Sequence, residues 1–250
     1  MKSFALAAVA AALAAAPLAA GTGSLQFAPA VSAARSAGTA AGYARSAELL
    51  LVDAAYHETS KSEALAKLEA AIADADKGLA LDAGSSDARL QKAIALGYRG
   101  KITKSRGDAK AAEEMIEAVI KRDPKNAMAY AALGGLHGEA VSNLGKFLAG
   151  TMMGSSAEKS MRAFQTATEL APTDMTIRAL YAVNVIAMKQ MDQKARVKAL
   201  LTPVVKAPAK GEMGAVMKAT ARDMLAALNA GDDHTLKRIA WKARPFDRFV

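Results

Sequence analysis

Residues 107–137 read GDAKAAEEMIEAVIKRDPKNAMAYAALGGLH, and this stretch decides the fold class of the chain. Apolar residues recur at helical spacing along its first half, and Asp123-Pro124 ends that pattern. Proline fits the first turn of a following helix, which here is rich in alanine and glycine. The missing side chain at Gly134 permits a close helix approach, although glycine costs the helix about 1 kcal/mol relative to alanine. The stretch therefore predicts two closely packed helices joined by a short turn.

The second of these helices carries the pattern Ala127-x-x-Tyr130-x-x-Leu133-Gly134-x-x-His137. This pattern resembles the first helix of a tetratricopeptide repeat (TPR), with Tyr130 where the family usually has tryptophan and His137 where it usually has tyrosine. The resemblance implies two antiparallel helices per unit, with small residues where the helices cross. It also puts His137 at a packing position, so we expect a buried, hydrogen-bonded histidine.

Two weaker copies of the same junction flank the first, around residues 81–87 and 170–174. Together they predict an all-α fold, an α-solenoid of about three to four degenerate TPR-like units over residues 46–230. Two further helices are expected over 192–206 and 212–229, the last of which would cap the stack. The alternative is a helical bundle of another kind.

The repeat spacing departs from the TPR standard. If Asp87, Asn126 and Asp174 are equivalent helix starts, the intervals are 39 and 48 residues, against about 34 in the family. The longer interval places an enlarged connection within residues 141–156. Residues 136–172 are also similar to a bacterial TPR-like group related to the regulators of microtubule dynamics, and this resemblance implies a helical-repeat fold and a scaffolding role.

The first 20 residues have the pattern of a secretory signal peptide. Lys2 precedes an alanine-rich apolar run, and small residues near Ala20 offer a cleavage site, with Val31-Ser32-Ala33 as a second choice. A retained membrane helix is the alternative, but Pro17 interrupts the run before the roughly 20 residues that a span requires. We therefore expect export to the periplasm and a flexible lead-in over residues 21–45.

Composition narrows the functional classes. The chain has 250 residues, 52% of them hydrophobic, a formal net charge of +9 and no cysteine. Without cysteine it has neither a disulfide nor the site for an N-terminal lipid, so a soluble protein is expected rather than a lipoprotein. The cations are spread along the chain and no nucleic-acid motif appears, which argues against nucleic acid as a partner.

No catalytic motif stands out. The histidines, His57, His137 and His234, lack metal-binding spacing, and neither a nucleophile elbow nor a Gly-rich phosphate loop is present. We therefore expect a protein that is not an enzyme and needs no cofactor.

Three surfaces are candidates for binding a protein or peptide. The first is a groove that the register of TPR first helices predicts. Its basic part would favour a peptide with an acidic end, unless these cations only solvate an exposed helix face. The groove residues are Arg89, Lys92, Leu96, Arg99, Met128 and Glu139.

The second candidate surface is the apolar insertion with Phe147, Met152 and Met153, either a mobile flap or an extension of the preceding helix packed into the core. The third is the basic, aromatic tail over residues 231–250. Trp241 and Phe246 could dock there on an anionic membrane surface or an acidic protein, or fold back over the last helix.

The expected function is a non-catalytic, exported scaffold that binds a protein or peptide partner. The alternatives are an accessory or solute-binding component of an envelope transporter and, third, an enzyme without a recognisable motif.

Overall fold

The computed structural model describes residues 27–250, all of whose regular elements are helices. The predicted signal peptide and the first six residues of the predicted lead-in lie outside the described residues. The α-helices, in chain order, are α1 Phe27–Ser36, α2 Ala40–Tyr56, α3 Lys61–Leu81, α4 Ser86–Thr103, α5 Arg106–Arg122, α6 Ala127–Met153, α7 Ala157–Leu170, α8 Met175–Ala187, α9 Lys194–Lys206, α10 Gly211–Ala230 and α11 Asp233–Lys242. Short 3₁₀ turns cover Met191–Gln193 and Asp247–Phe249.

The three predicted helix–turn–helix junctions are present and share one local geometry. Ser85, Asn126 and Asp174 cap α4, α6 and α8, each accepting a hydrogen bond from a backbone N–H in the first turn. The backbone N–H of each cap donates to the carbonyl three residues earlier, which closes the turn. The predicted helix start at Asp87 lies two residues too late, because Ser85 is the cap and the first interval is 41 residues.

The helices are arranged as successive hairpins. Each of α2, α4, α6, α8 and α10 packs against the helix that follows it. The first helices of neighbouring hairpins also contact each other, α2 with α4, α4 with α6, α6 with α8 and α8 with α10. The short connections make the paired helices antiparallel. The described chain is thus all-α, with the nearest-neighbour packing that is general among helical-repeat proteins.

The core depends on small side chains at the helix crossings. A Cβ atom on Gly134 of α6 would lie 2.6 Å from the ring of Phe164 in α7, so only glycine allows this approach. The larger apolar residues form a cluster over α1–α5 and another over α6–α11. Tyr56 and Met213 are packed against both clusters and so connect the two halves of the molecule.

The flexible lead-in is a wrong prediction from Phe27 onward. Phe27 and Val31 lie four residues apart on one face of α1 and are buried against α2. Thr39 caps α2 by accepting a 3.0 Å hydrogen bond from the backbone of Gly42. Two apolar residues are too few for a periodic signal in sequence, but they are enough to hold a short helix on an existing core.

The predicted insertion is helical and is not a flap. Helix α6 continues to Met153, with one non-helical residue, Gly145, whose φ of 78° bends the chain. A positive φ is easily accessible to glycine alone, so the bend is encoded at that position. The predicted helices over 192–206 and 212–229 are present, and Gly231 ends α10 in a left-handed conformation. The helix predicted over residues 212–229 was expected to be the last one, but α11 follows it after Gly231.

Within residues 27–250, no helix combines the length and the apolar character needed to cross a membrane.

Candidate functional site

The C-terminal segment, residues 243–250, leaves α11 and packs on the first helices of the N-terminal hairpins. Phe246 is fully buried in the N-terminal apolar cluster, and its ring centroid lies 5.0 Å from that of Tyr98 on α4. The predicted return of Phe246 to the last helix is therefore wrong, since its partners lie at the other end of the chain. A docking role for Phe246 is also excluded in this conformation.

A buried ionic cluster fastens the C-terminal segment to α4 and α6. Arg244 donates to both carboxylate oxygens of Glu139, at 3.1 and 2.6 Å, and lies 3.1 Å from Asp247. Lys101 lies 2.8 Å from Glu139 and 2.5 Å from Asp247, and it also donates to the carbonyl of Pro245. Two cations thus face two carboxylates, so the cluster is close to neutral.

The pKa values of Glu139 and Asp247 are shifted in opposite directions. Burial acts to raise the pKa of Glu139, but hydrogen bonds and attraction from Arg244 and Lys101 outweigh it, and the pKa lies below its usual value. Burial raises the pKa of Asp247 above its usual value, although Lys101 and Arg244 act in the opposite direction. Glu139 is therefore the firmly ionised anchor of the cluster. It was predicted to line an open groove, but its carboxylate is occupied by Arg244 and Lys101.

Arg248 attaches the segment to the end of α2. Its guanidinium donates to the backbone carbonyls of Ala54, Ala55 and Glu58, at 3.0, 2.7 and 2.8 Å. The last carbonyls of a helix have no partner within the helix, so Arg248 supplies donors that α2 lacks. The C-terminal segment thus covers parts of α2, α4 and α6, and those parts do not line an open groove.

The predicted basic groove residues lie on another side of α4. Lys92 pairs with Asp76 of α3 at 2.6 Å, and Arg99 pairs with Glu69 of α3 and with Asp108 at the start of α5. Arg89 donates to the carbonyl of Ala83, and Leu96 is buried in the core. The predicted register is displaced, because Tyr98 and Lys101 are the residues of α4 that meet the C-terminal segment.

The exposed apolar residues concentrate on the second half of α6. Phe147 is 78% exposed and Leu148 is 45% exposed, and Met152 on the same stretch of helix and Leu144 just before the bend at Gly145 are exposed too. We call these four residues the α6 patch. Met153, predicted with them, is partly buried against Ala149 and its neighbours instead. The insertion extends α6, as the alternative prediction had it. The side chains of the α6 patch, however, are exposed and do not pack into the core.

Two other predicted residues stay accessible. Met128 is exposed in the first turn of α6. Trp241 is 43% exposed on α11, and the Arg244 guanidinium lies 4.3 Å from its ring centroid. Contact of this aromatic, basic end with an anionic membrane surface stays a prediction.

His137 is buried and hydrogen-bonded, as its packing position indicates. Its Nδ1 lies 3.0 Å from the hydroxyl of Ser155, and Glu113 is 4.0 Å away. Burial, helped by Lys159, lowers the pKa of His137 to about 4, so the ring is neutral at pH 7. Among residues 27–250 no three His, Cys, Asp or Glu side chains come together as they would around a metal ion.

Sequence reasoning missed the residues that hold the C-terminal segment in place. Lys101 and Asp247 lie far apart in the chain, and no spacing rule links them. The cations of the tail over residues 231–250 were a signal, but they predicted contact with an anionic membrane surface or an acidic protein rather than buried ion pairs.

Comparison with known proteins does not assign the chain to a family. No model of a known protein family matches the chain, and a search of curated proteins finds no significant match.

Proposed function

We propose that this protein is a non-catalytic, exported scaffold of TPR-like hairpins that binds a partner protein in the periplasm through the α6 patch. The observation that carries the proposal is the exposure of Leu144, Phe147, Leu148 and Met152, which lie close together in the chain on either side of the bend at Gly145. A clustered apolar surface on a folded protein is characteristic of an interaction site, whereas single exposed apolar residues are ordinary.

The surroundings of the patch indicate the chemistry of its partner. Lys146 lies within it and is exposed, and the guanidinium of Arg106 is 4.0 Å from the sulfur of Met152. Phenylalanine, methionine and arginine are favoured in the centres of protein interfaces. The proposed partner therefore presents an apolar helix or peptide with acidic residues at its margin. Cationic residues at the rim would then increase the rate of association.

The TPR-like part of the proposal is supported by the matching junctions capped by Ser85, Asn126 and Asp174 and by the close approach at Gly134. Its export is supported by the sequence of residues 1–20. Fractionation of cells that express the full chain tests the second point, since recovery of uncleaved protein in the cytoplasm would contradict export.

Site-specific photo-crosslinking in cells tests the α6 patch. A benzophenone amino acid replaces Phe147 in one variant and Leu81 in a matched control, because Leu81 is exposed and apolar but lies at the end of α3. We expect a discrete crosslinked protein from position 147 only, lost when Leu148→Ser and Met152→Ser are added. The same products from both positions, or none from position 147, would reject the α6 patch as the binding surface.

A second candidate, a solute-binding component of an envelope transporter, is favoured by one observation. A cavity of about 520 Å³ lies at α1, and it falls in the volume range of small-molecule sites.

A further inference from the structure

A groove of about 550 Å³ runs along the last helical hairpin, between α10 and α11. Its residues recur every three or four positions on each helix, so each helix contributes one face. The residues used below are Val216, Asp223 and Ala226 of α10 and Arg238, Ile239 and Lys242 of α11. The volume is in the range of small-molecule sites. The groove shares no residue with the α6 patch or with the cavity at α1, so it is independent of partner binding at the patch.

The apolar part of the groove comes from one branched side chain on each helix. Val216 and Ile239 are both partly buried against the C-terminal core cluster, which fixes their positions. Between them the lining on α10 is reduced to small residues, among them Ala226 and Ala227. These alanines leave space between the two helices, so an aliphatic group of modest size can lie against Val216 and Ile239.

The charged part of the groove has a carboxylate on one helix and two cations on the other. Arg238 and Lys242 lie four residues apart, on the same side of α11. Asp223 lies on α10, the opposite wall. All three residues are exposed, so a molecule in the groove can reach them.

These opposite charges are not paired with each other. Within residues 27–250, neither Asp223 nor Arg238 nor Lys242 forms an ion pair. The carboxylate of Asp223 is thus beyond ion-pairing distance of both cations, although all three groups line one groove. Arg99 and Lys194, by contrast, find carboxylates on neighbouring helices. The groove therefore offers a cationic and an anionic wall, separated by enough space for a ligand with both charges.

We infer that this groove binds a small zwitterion, an α-amino acid with an aliphatic side chain. The carboxylate pairs with Arg238 and Lys242, and the ammonium group pairs with Asp223. The aliphatic side chain lies against Val216 and Ile239. Arginine suits the carboxylate because its planar guanidinium can donate two parallel hydrogen bonds to the two oxygens. A carboxylate without an amine, or an amine without a carboxylate, would use only one wall of the groove.

Calorimetric titration of the full chain with L-leucine, at pH 7 and low ionic strength, tests the inference. Leucine carries both charges at this pH. Two comparators each lack one charged group: 4-methylpentanoate lacks the amine, and 3-methylbutan-1-amine lacks the carboxylate. We expect leucine to bind at least about threefold more tightly than either comparator, as for ion pairs that stay in contact with solvent. Equal affinity for leucine and either comparator, or no binding of leucine, would overturn the inference.

Charge variants assign the two walls. Asp223→Asn should remove the advantage of leucine over 4-methylpentanoate, and Arg238→Gln/Lys242→Gln should remove its advantage over 3-methylbutan-1-amine. The matched control Arg222→Gln/Lys237→Gln also removes two exposed cations of α10 and α11, but both lie outside the groove lining. The control should bind leucine as wild type does. Equal losses in the two double variants would show that only the net charge of the protein matters, which would reject the assignment.

A bulky substitution locates the site without changing a charge. Ala226→Trp fills the groove from an exposed position of its lining, and it should abolish leucine binding in protein that remains helical by circular dichroism. Its matched control is Ala219→Trp, also exposed on α10 but outside the lining, which should bind as wild type does. Undiminished leucine binding by Ala226→Trp would place any leucine site elsewhere and reject the groove.

Discussion

Arg244 and Glu139 lie 105 residues apart in the chain, and they form a two-pronged ion pair in which the arginine side chain is only 1% exposed. The pair ties the end of the chain to the middle of α6. Without Arg244, Lys101 alone would face both Glu139 and Asp247, which leaves one buried negative charge without compensation. Such a loss typically costs about 3–5 kcal/mol.

We therefore expect Arg244→Ala to lower the free energy of unfolding by about 3–5 kcal/mol in urea denaturation. The control Arg238→Ala removes an exposed arginine of α11 and should change it by less than about 0.5 kcal/mol. The double variant Arg244→Ala/Glu139→Gln should lose less than the two single losses combined, because the uncompensated charge is gone. Strict additivity would show that the two residues are not coupled.

The buried position of Phe246 predicts a second large effect. Phe246→Ala should destabilise the protein by about 3–5 kcal/mol, since it leaves a cavity between α4 and the C-terminal segment. Phe147→Ala is the matched control, and its exposed ring should contribute less than about 0.5 kcal/mol. Thermal or urea unfolding of both variants measures the difference. Similar losses in the two would contradict the burial of Phe246.

Two adjacent glycines of α6 should respond in opposite directions to alanine. A Cβ at Gly134 would lie 2.6 Å from the buried ring of Phe164, so Gly134→Ala should cost about 1–3 kcal/mol through overpacking. No atom lies within 4 Å of a Cβ at Gly135, so Gly135→Ala should stabilise the helix by about 0.5–1 kcal/mol. Comparison of the two unfolding midpoints is the measurement, and stabilisation by Gly134→Ala would disprove the close approach of α6 and α7.

The neutral His137 should make stability depend on pH. Its pKa is lowered to about 4 in the folded protein, against about 6.5 in the unfolded chain, so the unfolded state binds more protons between these values. The stability it confers is complete above pH 6.5 and is lost as the pH falls toward 4. The full loss is on the order of 3 kcal/mol.

Comparison with His137→Gln isolates this effect, because carboxylates that titrate in the same range are common to both proteins. The wild type should lose more unfolding free energy than the variant between pH 7 and pH 4. Parallel pH profiles would mean that His137 titrates normally in the folded state.

The local elements were predictable because their causes lie within a few residues. A cap such as Asn126 accepts from an N–H three residues later, and Asp123-Pro124 stops the helix immediately before it. The close approach of α6 and α7 at Gly134 was also predictable, because a glycine within a helical pattern indicates that a neighbouring helix packs closely there. Helix α1 was missed because it is held by the apolar contacts of Phe27 and Val31 and by the ion pair of Arg35 with Asp74, and these contacts require α2 and α3 to be in place.

The candidate binding surfaces were also predictable only in part. The apolar character of Phe147 and Met152 was visible in the sequence, and so was the alternative that α6 continues through them. Their exposure was not, because exposure depends on what neighbouring helices cover. The basic face of α4 failed as a groove because Lys92 and Arg99 lie on the side of the helix that faces acidic residues of α3 and α5.

By itself the amino-acid sequence determined the helical class, the three capped junctions and the small residues at helix crossings, since these follow from interactions between near neighbours in the chain. Only the tertiary structure decided that the C-terminal segment closes the N-terminal hairpins, through Arg244 with Glu139 and Arg248 with the end of α2. Pairs separated by a hundred residues or more leave no periodic trace, because their geometry exists only once the intervening helices have packed.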